Sequence, residues 1–185
     1  MADAAPKRMT VDEYLAWAME QPERPRFELH CGEVYAMSPE RNRHALTKRD
    51  AMMELIRAIR AAGVDCEVFP DGATVIVDEH SAYEPDVTVQ CGGTVDLDKV
   101  TVDRPLIVVE VLSPSSQSLD GATKYRGYFR IASVRHYLIL DPIQKSATHH
   151  FRSGGTIESA IADGGRVVLD PPGIEVRVEA FFASV

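Results

Sequence analysis

Two acidic residues at or within apolar strand-like runs are the first candidates for chemistry. Asp86 opens the run Val87–Val89, and Glu110 lies inside the run Leu106–Leu112. Burying an unpaired carboxylate costs several kcal/mol, so each side chain must be paired, protonated or bound to a metal. Their separation of 24 positions is enough for two neighbouring strands and a loop. We therefore expect the two carboxylates to meet at adjacent strand ends.

Such a pair of carboxylates favours a divalent metal site. Mg²⁺ prefers octahedral oxygen ligands, usually one or two carboxylates completed by water and substrate phosphate, and Mn²⁺ accepts the same set. Two structural alternatives stay open at this point. Asp86 could be an ordinary aspartate at a turn that follows a proline, and Glu110 could form a salt bridge with a buried Arg or Lys.

A cation is needed near such a site, to place the attacking water or to offset charge in the transition state. Position 112 lies on the same strand face as Glu110, but it is occupied by Leu112. The nearest candidate is Lys124, on the helix predicted to follow, because its four-carbon stem could reach back to the strand end. The alternative is that Lys124 is a surface lysine of an amphipathic helix.

Other kinds of site find little support. The sequence contains none of the patterns GxxxxGK[ST], GxGxxG, HExxH or GxSxG. His149 and His150 are adjacent, so in a strand they would point to opposite faces and could not easily share a metal. The cysteines Cys31, Cys66 and Cys91 are odd in number, far apart and without a CxxC pair. We expect neither a disulfide framework nor a thiolate zinc site, but reduced thiols.

Length and composition indicate a globular protein. The chain has 185 residues, 45% hydrophobic and 26% charged, which favours one domain over residues 10–185 after a flexible tail at 1–9. No apolar run approaches a membrane span, and the N-terminus lacks the apolar core of a signal peptide, so we expect a cytoplasmic protein. The formal charge of −8 argues against binding nucleic acid by general electrostatics. A bound metal would invert the field locally.

The elements that position these residues form a mixed pattern. Thr10 and Glu13 match a capping box that opens a first helix. Strands outnumber helices, which predicts an α/β or α+β protein with a mixed central β-sheet flanked by helices, an N-terminal hairpin and extra C-terminal strands. The helices are predicted to run from Thr10 to about Met19, from Asn42 or Arg43 to Ala62, and from about Leu119 to Ala132; a hairpin is expected over Phe27–Met37, and strands over Cys66–Phe69, Ala73–Val77, Asp86–Gln90, Leu106–Leu112, His136–Leu140, Ala147–Phe151, Ile157–Ile161, Arg166–Leu169 and Ile174–Val178.

The longest predicted helix has a basic polar face. Its members are Lys48, Arg49, Arg57 and Arg60. Such a stripe is usually a solvated face, and on an enzyme that acts on nucleic acid it could also contact phosphates.

Several stretches of the chain resemble the Uma-two family of restriction endonucleases, over about residues 9 to 180. The upstream acidic signature and the central Pro-Asp and Glu-Val-Leu-Ser-Pro-Ser motifs, with the lysine after them, are together quite specific. The stretches are Phe27–Pro39 (FELHCGEVYAMSP), Arg43-His44, Glu84–Val87 (EPDV), Val109–Ser115 (VEVLSPS), Asp120 with Lys124, Tyr128, and Tyr137–Pro142 (YLILDP).

That family is similar to the PD-(D/E)XK nucleases, and the resemblance implies a restriction-endonuclease-like sheet with the site at one end of its central strands. It makes Asp86 the motif aspartate and Glu110 the motif glutamate. Leu112 stands where the superfamily has its lysine, which departs from the general pattern. The resemblance implies that the lysine has moved to the following helix, where Lys124 fills its place.

The resemblance also points to three further residues of the site. Glu33, and less strongly Glu28, match the upstream acidic signature and would join the outer shell of the ion. His44 matches a family position. Each has a plain structural alternative, since the two glutamates could be solvent-facing hairpin residues and His44 could be a helix-start residue.

The predicted function is a metal-dependent endonuclease that hydrolyses DNA. Asp86, Glu110 and the backbone carbonyl of Val111 would hold Mg²⁺ or Mn²⁺, and Lys124 would assist. The family resemblance implies products with a 5′-phosphate, and a homodimer is the usual way to address both strands of a duplex. Two other classes stay open: a non-catalytic binding or assembly module with the nuclease fold, and a metal-dependent hydrolase of a small phosphorylated substrate.

Overall fold

A computed structural model describes residues 8–21, 25–113 and 121–185 of the chain. Three α-helices, twelve strands and one 3-10 helix are assigned within these ranges. They are α1 Val11–Met19, β1 Phe27–His30, β2 Glu33–Ala36, α2 Asn42–Ala62, β3 Cys66–Pro70, β4 Val75–Asp78, β5 Ser81–Tyr83, β6 Val87–Cys91, β7 Pro105–Val111, α3 Gly121–Tyr128, β8 His136–Asp141, β9 Ser146–Ser153, β10 Thr156–Ala162, β11 Arg166–Leu169, β12 Ile174–Arg177 and the 3-10 helix Val178–Phe182.

The main sheet has six strands in the order β10-β9-β8-β7-β6-β3. Only β7 and β8 are parallel, and every other neighbouring pair is antiparallel. In the β6–β7 ladder Val87 lies opposite Val109. This register brings Asp86, the residue before β6, to the level of Glu110 near the end of β7. The two residues therefore occupy adjacent backbone positions at the ends of neighbouring strands.

The main sheet is covered on both faces. Val109 and Val111 of β7 belong to a buried core that includes residues of α2 and the C-terminal 3-10 helix. Val108, on the opposite face, packs in a second core with Tyr128 of α3 and Tyr83 of β5. The alternation along β7 turns Glu110 toward the side of α3.

A second sheet carries the N-terminal hairpin. Its four strands follow the order β2-β1-β5-β4, and α1 packs against it through Val11 and Tyr14. The predicted capping box opens α1, since the Glu13 amide donates to Thr10 Oγ1 (3.3 Å) and the Thr10 amide to Glu13 Oε2 (2.9 Å). β1 presents Glu28 as a buried residue. The C-terminal strands β11 and β12 form a third, two-stranded sheet.

The predicted fold class is confirmed, with two local differences. Helix α3 is shorter than the predicted 119–132 and ends at Tyr128; residues 119 and 120 lie outside the described ranges. Strand β5 was not predicted, because three residues are too few to show an alternating pattern. Of the predicted tail 1–9 only Arg8 and Met9 are described, and the Met9 amide donates to the Gly32 carbonyl. In the described ranges, no helix combines the length and the apolar composition that a bilayer span requires.

The prediction that all cysteines are reduced thiols is wrong for two of them. Cys66 and Cys91 lie directly opposite each other in the antiparallel β3–β6 pair and form a disulfide. A separation of 25 residues conceals this pairing in the sequence. Cys31 is free and exposed.

Candidate active site

One buried group of charges surrounds the end of β7 and is called here the glutamate–lysine cluster: Glu28, Glu110, Lys124 and Tyr128. The Lys124 ammonium donates to Glu110 Oε1 (3.0 Å) and to Glu28 Oε1 (2.9 Å). The Tyr128 hydroxyl donates to the same Glu110 oxygen (2.7 Å). The amide of Glu84 donates to Glu28 Oε1 (3.0 Å). Lys124 is thus not a surface lysine, and it reaches back from α3 to the strand end as predicted.

The charges of this cluster support one another. Burial would lower the pKa of Lys124, but Glu110 and Glu28 outweigh it and hold the pKa above its ordinary value. Burial raises the pKa of Glu28, Lys124 opposes that rise, and Glu110 adds to it. Lys124 therefore stays protonated and is fixed between two carboxylates. Glu110 realises the predicted alternative of a buried salt bridge, and its partner is the predicted catalytic lysine.

A second group lies on the other side of Val111 and is called here the aspartate–histidine cluster: Asp86, His44, Glu40 and Lys48. The backbone amide of Val111 donates to Asp86 Oδ2 (2.6 Å), a buried oxygen. His44 Nε2 lies 2.9 Å from the Val111 carbonyl oxygen and 3.5 Å from Asp86 Oδ2. Since a carbonyl only accepts, Nε2 of His44 must carry the proton in that contact.

Lys48 joins this cluster to a second layer of charges. Its ammonium contacts Glu40 Oε1 (2.5 Å) and Asp71 Oδ2 (2.8 Å), and lies 3.6 Å from Asp86 Oδ1. Asp71 also accepts a hydrogen bond from Arg26 (2.6 Å). Lys48 is only 8% exposed, so its predicted place on a solvated helix face is wrong. Its position on α2 points it into the site instead.

The environment of Asp86 disfavours its charged form. Burial raises the pKa of Asp86 to about 7, and the nearby Glu110 adds to the rise, although His44 and Lys48 oppose it. The His44 ring nitrogen and the Lys48 ammonium lie 3.5 and 3.6 Å from the Asp86 carboxylate, beyond ordinary hydrogen-bond lengths. A divalent cation bound by Asp86 would favour the charged carboxylate and so offset the free-energy cost of burying it.

The carboxylates of this cluster fit a hard divalent cation. Glu40, His44 and Asp86 each offer a possible ligand atom within 4.8 Å of the others, but His44 can bind an ion only through a ring nitrogen that carries no proton. Val111 follows Glu110 in the chain and contacts Asp86 through its backbone. Carboxylate and carbonyl oxygens around one point are the ligands that Mg²⁺ and Mn²⁺ favour. The Val111 carbonyl has two lone pairs, so it can accept from His44 and still bind an ion.

Five of the six predicted side chains lie in these two clusters. Asp86 and His44 are in one cluster, and Glu28, Glu110 and Lys124 are in the other; the Val111 backbone lies between them. Glu33 is placed elsewhere. It is exposed on β2, where its carboxylate accepts a hydrogen bond from the Tyr35 hydroxyl (2.9 Å). Among the described residues, no hydrogen bond or ion pair joins Glu33 to either cluster.

Sequence reasoning missed several members of the site. The sequence does carry a signal for two of them, because Glu40, His44 and Lys48 recur every four residues and so share one side of α2 and its approach. Asp71 and Arg26 come from distant loops and leave no such signal. Tyr128 matches a position of the family but was given no role in the predicted site, whereas its hydroxyl contacts Glu110.

The two adjacent histidines lie on opposite faces of β9, as predicted. His149 is buried beside His136, with Nε2 2.9 Å from His136 Nδ1. His150 packs against Tyr125 and lies 2.6 Å from Ser159 Oγ.

The fold and these clusters together define a nuclease-like α+β protein with acidic residues and a lysine at the ends of its central strands. The family model Uma2, described as "Putative restriction endonuclease", matches residues 11–181. The chain belongs to this family, which confirms the resemblance found in the sequence.

Two relatives place the chain more widely. It is 28% identical over 134 residues to the "Uncharacterized protein slr1290" of Synechocystis, a match that covers 72% of this chain and 68% of that one. Its structure is similar to the crystal structure of a "putative nuclease belonging to DUF820" from Anabaena variabilis, with a TM-score of 0.73 and 14% identity over 95% of this chain and 98% of that one. At that identity the likeness concerns the fold.

Proposed function

We propose that the protein is a metal-dependent endonuclease that hydrolyses phosphodiester bonds of DNA. Asp86, Glu110 and the backbone carbonyl of Val111 would hold one Mg²⁺ or Mn²⁺. The observation that supports this most is the hydrogen bond from the Val111 amide to buried Asp86 (2.6 Å). It draws the aspartate to the residue that follows Glu110, at the ends of the two neighbouring strands.

The reaction needs a polarised phosphate and an activated water, and a bound divalent cation supplies both. The chain supplies the remaining parts. Lys124 is the candidate to orient the water or to stabilise charge on the phosphate oxygens, because its ammonium is fixed against Glu110 (3.0 Å). Tyr128 restricts the Glu110 carboxylate by donating to the same oxygen.

Glu28 and His44 are proposed as supporting residues. Glu28 contacts Lys124 directly and is bound by the Glu84 amide, so it would set the position of the ammonium. His44 contacts the Val111 carbonyl and would orient that oxygen. Such outer contacts typically contribute 10- to 100-fold in metal affinity or activity, on the order of the effects known for second-layer partners. For Glu33 the proposal has no contact to support it.

The biological setting is proposed on general grounds. Duplex DNA is the substrate that the family description favours, and a homodimer would present one site to each strand. A cytoplasmic location and the assignment of residues 10–185 to one domain remain predictions.

A non-catalytic binding module is the second candidate. The formal charge of −8 favours it, as does the pairing of the carboxylates with Lys48 and Lys124 inside the protein. The weak pairing of Asp86 argues for catalysis, because a module without chemistry gains nothing from a buried carboxylate whose charge is poorly neutralised.

Cleavage of supercoiled plasmid and single-stranded DNA tests the proposal. Wild type should nick or cut in Mg²⁺ or Mn²⁺ and not in EDTA. Asp86→Asn and Glu110→Gln should each lose at least about 100-fold, more than loss of an outer partner costs, while circular dichroism stays unchanged. Asp96→Asn, an exposed aspartate, is the matched control. Equal cleavage by wild type and both site variants would overturn the assignment, and metal-independent DNA binding without cleavage by any variant would favour the binding module.

A further inference from the structure

Strand β10 (Thr156–Ala162) is an unusually unprotected sheet edge. It pairs with β9 on one side, and within the described part of the chain no strand pairs with its other side. Its sequence, TIESAIA, has one charged residue and neither lysine nor proline. Natural edge strands are normally blunted by such residues, since a bare edge can pair with another chain.

The other edge of the same sheet is protected. β3 is only five residues long and ends with Pro70. Its Cys66 is also tied to β6 through the disulfide. The absence of comparable devices on β10 therefore calls for an explanation specific to that edge.

We propose that β10 is a dimer interface, at which it pairs antiparallel with β10 of a second copy of this chain. The two six-stranded sheets would join into one continuous sheet across a two-fold axis normal to it. The partner's main chain would satisfy the outward amides and carbonyls of β10.

The side chains of β10 select one register. Ile157 packs toward the core on the α3 side, and Ser159 contacts His150 on that same face. Ile161 follows with a period of two and is 78% exposed. Residues directly opposite each other in an antiparallel pair share a face of the sheet. Two copies of β10 related by a two-fold axis must therefore have one residue at the centre of the pair, opposite its own copy.

Centring the pair on Ser159 satisfies each requirement. All seven residues of β10 then find a partner, from Thr156 opposite Ala162 to Ser159 opposite its own copy. Each Ile161 lies beside Ile157 of the other copy, which removes exposed apolar surface from water. Glu158 faces Ala160, so no like charges are opposed.

The neighbouring registers are worse. Centring on Glu158 places two carboxylates directly opposite each other, which is destabilising. Centring on Ala160 leaves Ile161 beside Ser159 and pairs fewer residues. The edge thus specifies both its partner and its register.

Solution mass gives the first test, with the full chain over a range of concentrations. By analytical ultracentrifugation the wild type should show a species of twice the chain mass. Ile161→Lys should raise the dissociation constant of the dimer by at least about 10-fold, because it places a charge opposite an apolar residue of the partner. The change leaves the core of the monomer intact, since the side chain is exposed. Ile143→Lys, at a 64% exposed site in the β8–β9 turn, is the matched control and should remain dimeric.

Cysteine cross-linking gives the second test, in a Cys31→Ser background because Cys31 is free and exposed. Ser159→Cys should form an intermolecular disulfide on oxidation, as opposed residues of an antiparallel pair lie within disulfide reach. In this register position 158 lies opposite position 160 of the other copy, so neither residue faces its own counterpart. Glu158→Cys and Ala160→Cys should therefore cross-link much less.

The proposal fails if the wild type is monomeric throughout, if Ile161→Lys leaves the dimer intact, or if position 158 or 160 cross-links best. The assignment of a nuclease site does not depend on these results, because both clusters lie at β6 and β7 rather than at β10, whereas the homodimer named under the proposed function does depend on the solution mass.

Discussion

The two buried charge clusters that flank Val111 differ in how closely their carboxylates are paired. In the glutamate–lysine cluster, Lys124 and Tyr128 contact Glu110 at 3.0 and 2.7 Å. In the aspartate–histidine cluster, the His44 ring nitrogen and the Lys48 ammonium lie 3.5 and 3.6 Å from the Asp86 carboxylate, which is bound closely by one backbone amide.

This difference indicates a division of roles. In the glutamate–lysine cluster both carboxylates accept hydrogen bonds from the Lys124 ammonium, which suits residues that must hold a cationic side chain in place. Asp86 is buried without close neutralisation, which suits a ligand that receives its cation from solution. The predictions below test this division.

The largest expected effect belongs to Lys124→Met. If Lys124 acts on the reacting groups rather than holding the metal, turnover should fall by about 100- to 1000-fold, as for loss of one charge-stabilising donor. Mn²⁺ affinity should change little. Steady-state cleavage and Mn²⁺ titration measure the two quantities, and Lys99→Met, at an exposed ion pair, is the control. A loss of metal affinity as large as the loss of turnover would indicate that Lys124 has a structural role, and it would contradict the division of roles between the two clusters.

The second effect concerns stability without metal. The pKa of Asp86 is about 7 in the folded protein, above its ordinary value, so the folded form binds this proton more tightly than the unfolded form. The contribution of Asp86 to stability must therefore fall as pH rises from about 4 to about 7, by on the order of 1.4 kcal/mol for each unit of pKa difference, whereas the lowered pKa of buried His149 acts in the opposite direction, so the effect is measured as the difference between wild type and Asp86→Asn. Asp86→Asn should flatten this fall and be the more stable protein at pH about 8.

Urea unfolding in EDTA across this pH range measures the effect. Asp96→Asn should follow the wild-type curve, since residue 96 is exposed. If the curves of Asp86→Asn and wild type run parallel, the Asp86 carboxylate is not the costly group that the comparison requires.

The smallest expected effect belongs to Lys48→Met. Lys48 lowers the pKa of Asp86, so its removal should move the acidic limb of the kcat/KM profile to higher pH. We expect a loss of about 10-fold near pH 6 that largely disappears above pH 8, in proportion to the unprotonated fraction of the free enzyme. Arg60→Met, at an exposed position of the same helix, should leave the profile unchanged. A pH-independent loss would indicate that Lys48 only supports the local structure.

Much of the fold follows from local patterns. The capping box at Thr10 and the helical repeat with Gly63 at the end of α2 predict those helices well, because the signals lie within a few residues. The end of α3 at Tyr128 has no such signal. The Cys66–Cys91 pair could not be predicted, since it depends on the register of two strands distant in sequence.

The residues of the candidate site could likewise be predicted only in part. Asp86 and Glu110 could be singled out because an acid at or within an apolar strand is costly, and Lys124 because position 112 is a leucine and this lysine was the nearest candidate after it in the sequence. Lys48 was misplaced, since on a helix a basic residue ordinarily faces solvent and its partner Asp71 approaches from a distant loop. Long-range ion pairs leave no trace in local periodicity.

Titration of Mn²⁺ into metal-free wild type and Asp86→Asn, followed by electron paramagnetic resonance, tests the central claim most directly. The structure predicts one bound ion per chain in wild type, with at least about a 10-fold weaker affinity in Asp86→Asn and an unchanged affinity in the exposed control Glu33→Gln. Equal affinity in wild type and Asp86→Asn would contradict the claim that Asp86 and its neighbours at the strand ends form the metal site.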